Sequence, residues 1–207
     1  MNTQSRLSFS RFMLPCTTAT LSLLAAATAH AGSTFTVTLA QVGPDVVETG
    51  SGTIDLTGLT SFGSAFSSPE LYPDHGIIGG GPSGMIDLYT GPTGPFSFGP
   101  GSATFPTTTS GDSVFLEDFG LDIEVPQGYV SDASLSSGAT FAGTTLFKLG
   151  VTAGTYTWTW NSGANSFVLV IPSVAVPEPA TWTLALVGFA GLGAALRSRR
   201  KSAAVPA

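Results

Sequence analysis

GTYTWTWNSGANSFVLVI, residues 154–171, decides the fold. Tyr156, Trp158 and Trp160 alternate with Thr155, Thr157 and Thr159. A period of two, in β-branched and aromatic residues, describes a strand with one buried face. Asn161 to Asn165 then supply turn residues, and Ser166 to Ile171 return as a second apolar strand, which predicts a hairpin. The same alternation recurs outward from it. TFTVTLA (34–40) sends Phe35, Val37 and Leu39 inward; GTIDLTG (52–58) sends Ile54 and Leu56 inward and Asp55 outward. GLDIEVP (120–126) sends Leu121, Ile123 and Val125 inward and Asp122 and Glu124 to solvent. No stretch of 32–175 carries a helical period. The expected class is all-β: an antiparallel β-sandwich or jelly-roll-like domain between a signal peptide and a C-terminal transmembrane helix.

Composition separates that domain from its ends. Only 10% of the 207 residues are charged and the mean hydropathy is +0.33, more apolar than a β domain of this size requires. The excess lies at the termini. Residues 1–31 read as a signal peptide: Arg6 and Arg11, an apolar run, then Ala29 and Ala31 as the small residues of a peptidase site, so that the mature chain starts at Gly32. Cys16, the sole cysteine, falls inside this leader behind Pro15, so it does not read as a lipidated residue. The mature chain then has no disulfide and no thiolate chemistry.

At the other end, residues 180–196 carry no charge and are followed by Arg197, Arg199, Arg200 and Lys201. Seventeen helical residues span about 25 Å, a marginal crossing of a roughly 30 Å hydrocarbon core. The basic stop points inward, leaving the main domain outside and 202–207 as a cytoplasmic tail. Before the run stands Pro177-Glu178-Pro179. Two prolines disfavour helix ahead of them and hold the segment extended, as a protease cleft requires.

Tripeptide, apolar run and basic stop together resemble the PEP-CTERM sorting signal of Gram-negative bacteria, over residues 176–201. The strand pair leading into it, residues 154–171, is similar to the domain ends found before such signals. The resemblance implies an integral-membrane transpeptidase, exosortase, that cuts near Pro-Glu-Pro and passes the chain to the outer envelope or extracellular matrix. Signal peptidase is the other processing partner, and the inner membrane holds the chain before processing.

The domain itself, residues 32–175, holds twelve Asp and Glu against one base, Lys148, a net charge of −11. Nucleic acid and anionic lipid surfaces are poor partners for a domain with that balance, and no nucleic-acid partner is expected. Gly79 to Gly84 (GGGPSG) fits G-x-G-x-x-G by letter, but a strand-like Met85 to Tyr89 follows where a dinucleotide site needs a helix, so it reads as a flexible loop. His75 lies in a turn-like LYPDHG and no G-x-S-x-G exists for it to serve. Asp118, Asp122 and Glu124 are close in sequence, yet on a wet face they make poor general acids. The plain reading is a charged edge that discourages aggregation; calcium would suit such oxygens better than acid catalysis, without a ligand set to name. SGTIDL (51–56) and SGMIDL (83–88) repeat one pattern, read as two similar sheet edges rather than as Asp55 and Asp87 paired around a cation.

No catalytic, cofactor or metal residue is therefore assigned. The expectation is a non-catalytic exported protein, sorted and cleaved through its tail and associated with exopolysaccharide. Tyr129, Tyr156, Trp158 and Trp160 are its candidate sugar-stacking residues, with core packing the more natural use of the tryptophans. The alternatives are a secreted hydrolase of envelope polysaccharide and an unprocessed single-pass surface protein.

Overall fold

The hairpin forms as its alternation requires. β11 (Gly154–Trp160) pairs antiparallel with β12 (Asn165–Ile171), in a register that sets Trp158 against Phe167 and Trp160 against Asn165. The reversal between them uses positive φ at Asn161, Ser162 and Gly163. This is a computed structural model, and it describes residues 32–117, 121–173 and 179–202, with side chains in the last segment only for 182–197. Ala29, Ala31, Asp118, Pro177 and Glu178 lie outside the described residues.

Ten further strands complete two six-stranded sheets. They are β1 (Thr34–Val42), β2 (Asp45–Thr53), β3 (Thr60–Ser67), β4 (Leu71–Tyr72), β5 (Ile77–Gly80), β6 (Gly84–Thr90), β7 (Thr108–Gly111), β8 (Val114–Glu117), β9 (Asp122–Pro126) and β10 (Ser134–Phe141). The first sheet runs β11-β12-β1-β2-β10-β7 and the second β3-β6-β9-β8-β5-β4. Phe35, Val37, Leu39, Trp158, Phe167 and Leu169 of the first sheet share one buried cluster with Ile78, Leu116, Ile123 and Val125 of the second. Two sheets facing one apolar core make the two-layer arrangement expected from the pattern. At its centre the rings of Phe35 and Phe167 lie 5.6 Å apart and Trp158 meets Phe167 edge-on at 6.1 Å.

The structure corrects the expectation in four places. The first sheet is mixed, because β1 pairs parallel with β12, from Thr34–Ser166 to Thr38–Val170; an all-antiparallel jelly roll has no such pair. The GTIDLTG strand ends at Thr53, and Asp55 turns inward beyond it rather than outward. Glu124 is 4% exposed, not solvated. Its strand β9 lies between β6 and β8, and Glu124 stands in register with Phe115 and Leu88 on a second covered face, while Leu121 before the strand is exposed. A central strand covered on both faces loses the alternation that would reveal it.

The fourth correction concerns GGGPSG. Gly79 and Gly80 are buried in β5 rather than in a flexible loop. A Cβ on Gly79 would run into the ring of Phe115, so glycine is there for close packing. The strand expected after the motif is present as β6.

Candidate sorting signal and ligand surface

The tail is helical. α1 (Pro179–Ser202) starts at the last proline of the tripeptide, a residue suited to a first helical position because its missing N–H costs nothing there. Arg197 is exposed on it, and the backbones of Arg199, Arg200 and Lys201 continue it. Trp182, Leu184, Leu186, Val187, Phe189 and Leu192 all stand exposed. A helix apolar on every side, unlike one with a single greasy stripe, is built to be surrounded by apolar material. Among the described residues, however, no helix is long and apolar enough to cross a membrane. The expected span over 180–196 is thus not among its features.

Inside the domain the acids divide into two kinds. Asp55 is surrounded by donors: the Thr57 N–H at 2.9 Å, Ser131 Oγ at 3.1 Å and Asn165 Nδ2 at 3.2 Å. Burial pushes its carboxyl up, and these bonds outweigh burial and leave its pKa below the ordinary value. Its carbonyl also accepts from Trp160 Nε1 at 2.7 Å, tying the hairpin to the segment after β2. Asp87 accepts from Ser64 Oγ at 2.6 Å and the Gly128 N–H at 2.8 Å, which likewise lower its pKa. The two aspartates of the repeated SG-x-IDL pattern are thus satisfied by separate sets of protein donors.

Glu48 and Glu124 behave oppositely. Glu48, on β2, is 1% exposed and points between the sheets. Among the described residues its Oε2 and the nearby β10 hydroxyl of Ser137 have no hydrogen-bond partner. Space for the carboxyl comes from Gly80, whose Cβ, if present, would lie 2.6 Å from Glu48 Oε1. Burial pushes the Glu48 carboxyl up to about 8. Glu124 is pushed up to about 7, by burial first and then by the charges of Glu117 and Asp122, against a hydrogen bond from Ser67. A raised carboxyl in an open cleft would suit acid catalysis. These two are covered, and neither lines the open groove described below. Among the described residues no group of three or more His, Cys, Asp and Glu side chains could hold a metal ion. His75 stacks on Tyr72 at 3.9 Å in a 3-10 turn and stands 3.7 Å from the Asp74 carboxylate.

The sugar-stacking candidates are structural. Trp158 and Trp160 are buried, with Trp158 Nε1 donating to the Pro95 carbonyl at 2.9 Å. The Tyr129 hydroxyl donates to the Ala133 carbonyl at 2.7 Å, and that of Tyr156 to Thr152 at 3.0 Å. In the described part of the β domain the large exposed aromatics are phenylalanines that sequence patterning passed over: Phe62, Phe66, Phe96, Phe105 and Phe147. They sit on edges and in loops, where no period marks them. Phe105, 65% exposed, lines an open groove of about 260 Å³ with Ser68, Ser83, Thr107, Thr108 and Thr109. It is uncharged and rich in hydroxyls, which both donate and accept.

No curated protein and no solved structure matches the chain. The tail does have a match, and it falls on the segment where tripeptide, helix and basic stop meet. It implies a chain that is exported, held at a membrane and then processed by exosortase. Residues 175–201 match the PEP-CTERM protein-sorting motif.

Proposed function

We propose that this is a non-catalytic exported protein of the envelope or extracellular matrix, released from its tail by exosortase and associated there with polysaccharide. The match of residues 175–201 to the sorting motif carries the reading. A helix with a short uncharged run suits a transient hold in the inner membrane better than a permanent span, and the two prolines of the tripeptide disfavour helix ahead of it, as cleavage requires. Intact mass of the chain from envelope and medium of its own host tests this. The expected species starts at Gly32 and ends near Pro177–Pro179, and replacing Pro177, Glu178 and Pro179 together by alanine should leave the tail attached. A wild-type species that keeps Arg197 to Ala207 would show an unprocessed, membrane-held protein instead.

The hydroxyl-lined groove beside Phe105 supports the polysaccharide part. Its lack of charge, on a domain of net charge −11, favours a neutral glycan over an acidic one. Phe105→Ala should weaken retention on neutral host exopolysaccharide about tenfold, the equivalent of roughly 1.4 kcal/mol. Unchanged retention would remove the groove from the reading without touching the sorting step.

A further inference from the structure

The chain leaves the first sheet at one particular end. β1 pairs parallel with β12 up to Thr38–Val170 and then runs on to Val42. The turn Val42-Gly43-Pro44 therefore stands at the end where β12 lets the chain go, after Ile171. The connection from β10 to β11, residues 142–153, stands there too, since Phe141 pairs with Val46 and Gly154 with Ile171. Gln41 ties turn and connection together. Its Nε2 donates to the carbonyls of Gly43, Asp45 and Thr144 at 3.1, 3.0 and 3.1 Å, and its Oε1 accepts the Leu146 N–H at 3.1 Å.

The connection displays one ring. Leu146 and Leu149 are buried, and the Leu149 N–H donates to the Thr145 carbonyl at 3.0 Å and the Gly150 N–H to the Phe147 carbonyl at 3.1 Å. Between these anchors Phe147 is 92% exposed, more than any other large apolar side chain among the described residues. Val42 is exposed as well. Next to Phe147 is Lys148, the one base of residues 32–175. The acid in these loops is Asp45, whose carboxylate accepts the Gly143 N–H at 2.8 Å. Asp74 lies further round, joined to Gly150 through Gly101. On a domain of net charge −11 this end carries little net charge.

Tether length selects what meets it. Five residues, 174–178, separate Ser173 from Pro179 of α1. Six Cα steps reach at most about 22 Å. Granted the hold of α1 in a membrane proposed above, on which this inference rests, the exit of β12 stands within about that distance of the bilayer. A surface so close is met at high effective concentration, so a weak contact suffices. The acids elsewhere on the domain are repelled by anionic lipid and turn this end toward it. We propose that Phe147 and the Val42–Pro44 turn rest in the headgroup layer of the bilayer that holds α1, with Lys148 on the lipid phosphates. The contact keeps the domain end-on until the tail is cut, and a lone ring is too weak an anchor to keep it there afterwards.

Lipid-borne quenchers test the contact. The full chain carrying Cys16→Ser is reconstituted into phosphatidylcholine vesicles with spin labels high on the acyl chain, and a fluorophore is attached to one introduced cysteine at a time. Fluorophores at Phe147→Cys and Val42→Cys should be quenched at least threefold more than one at Val130→Cys, an exposed position ahead of β10, whose start pairs with the far end of β2. Phe147→Ser should at least halve the quenching at position 42. All three positions are exposed, so an unchanged circular-dichroism spectrum is expected. A fluorophore at Leu184→Cys reports on α1 separately. If it is quenched while position 147 is quenched no more than 130, the domain does not rest on this end and the proposal alone is overturned. If Leu184→Cys escapes quenching, α1 is not held in the bilayer, and the proposal falls with that hold.

Discussion

The folded domain should lose stability steadily between pH 4.5 and about 8, and Glu48→Gln should remove most of that slope. The sign follows from which state holds the proton. Below 4.5 Glu48 is protonated whether the chain is folded or unfolded. Above it the unfolded chain releases the proton while the folded one keeps it until about 8, so folding grows less favourable throughout the interval. At about 1.4 kcal/mol per unit the full effect is on the order of 4–5 kcal/mol, comparable to the stability of many domains. Urea unfolding at pH 5, 7 and 9 measures it. The variant should match the wild type near pH 5 and exceed it by several kcal/mol at pH 9. Its residual slope, ending near pH 7, belongs to Glu124. Parallel curves for the two proteins would mean that Glu48 is ionised and solvated. At the acid end Asp55 and Asp87, whose pKa values are lowered, work the other way, and their contribution is lost as pH falls through their titration. Maximum stability is therefore expected on the mildly acidic side.

Trp158→Ala should be the most damaging single truncation in the core. The ring is fully buried, edge-on to Phe167, and its indole N–H satisfies the Pro95 carbonyl. Removing so large a side chain from a packed interior costs about 3–5 kcal/mol, and stranding the carbonyl adds to it. The thermal midpoint should fall by about 10–15 °C. Trp158→Phe should recover much of the packing and none of the hydrogen bond. A midpoint within 3 °C of wild type for the alanine variant, on this scale under about 1 kcal/mol, would show that the two sheets do not close over this residue.

How far the sequence could be read depended on the neighbours of each strand. β1 and β11 alternate cleanly because one face is apolar and the other is dominated by threonine, whereas β12, with Val168 and Val170 on its second face, is legible as an apolar run after a turn. β2 escaped notice: its inward face is Val46, Glu48 and Gly50, and neither a glutamate nor a glycine announces a core. The glutamate becomes intelligible only once Gly80 of the other sheet is seen to leave room for it. β9 misled in the other direction, since its acids suggested water where a second layer of side chains lies. The parallel join of β1 to β12 could not be read at all, because alternation reports which side a residue faces and not which strand lies beside it. The tail was the most legible part. Its signal is carried by order along the chain, and no folding is needed to see it.

That join sets how the domain answers a pull. β1 opens the fold and β12 closes it, and they lie side by side pointing the same way. Tension entering at the start of β1 and leaving at the end of β12 drags the two strands lengthwise past one another. The five residue pairs from Thr34–Ser166 to Thr38–Val170 are then strained together instead of being peeled one by one. A chain fixed by its two ends on a surface swept by flow would meet the load along the direction in which its first sheet yields last.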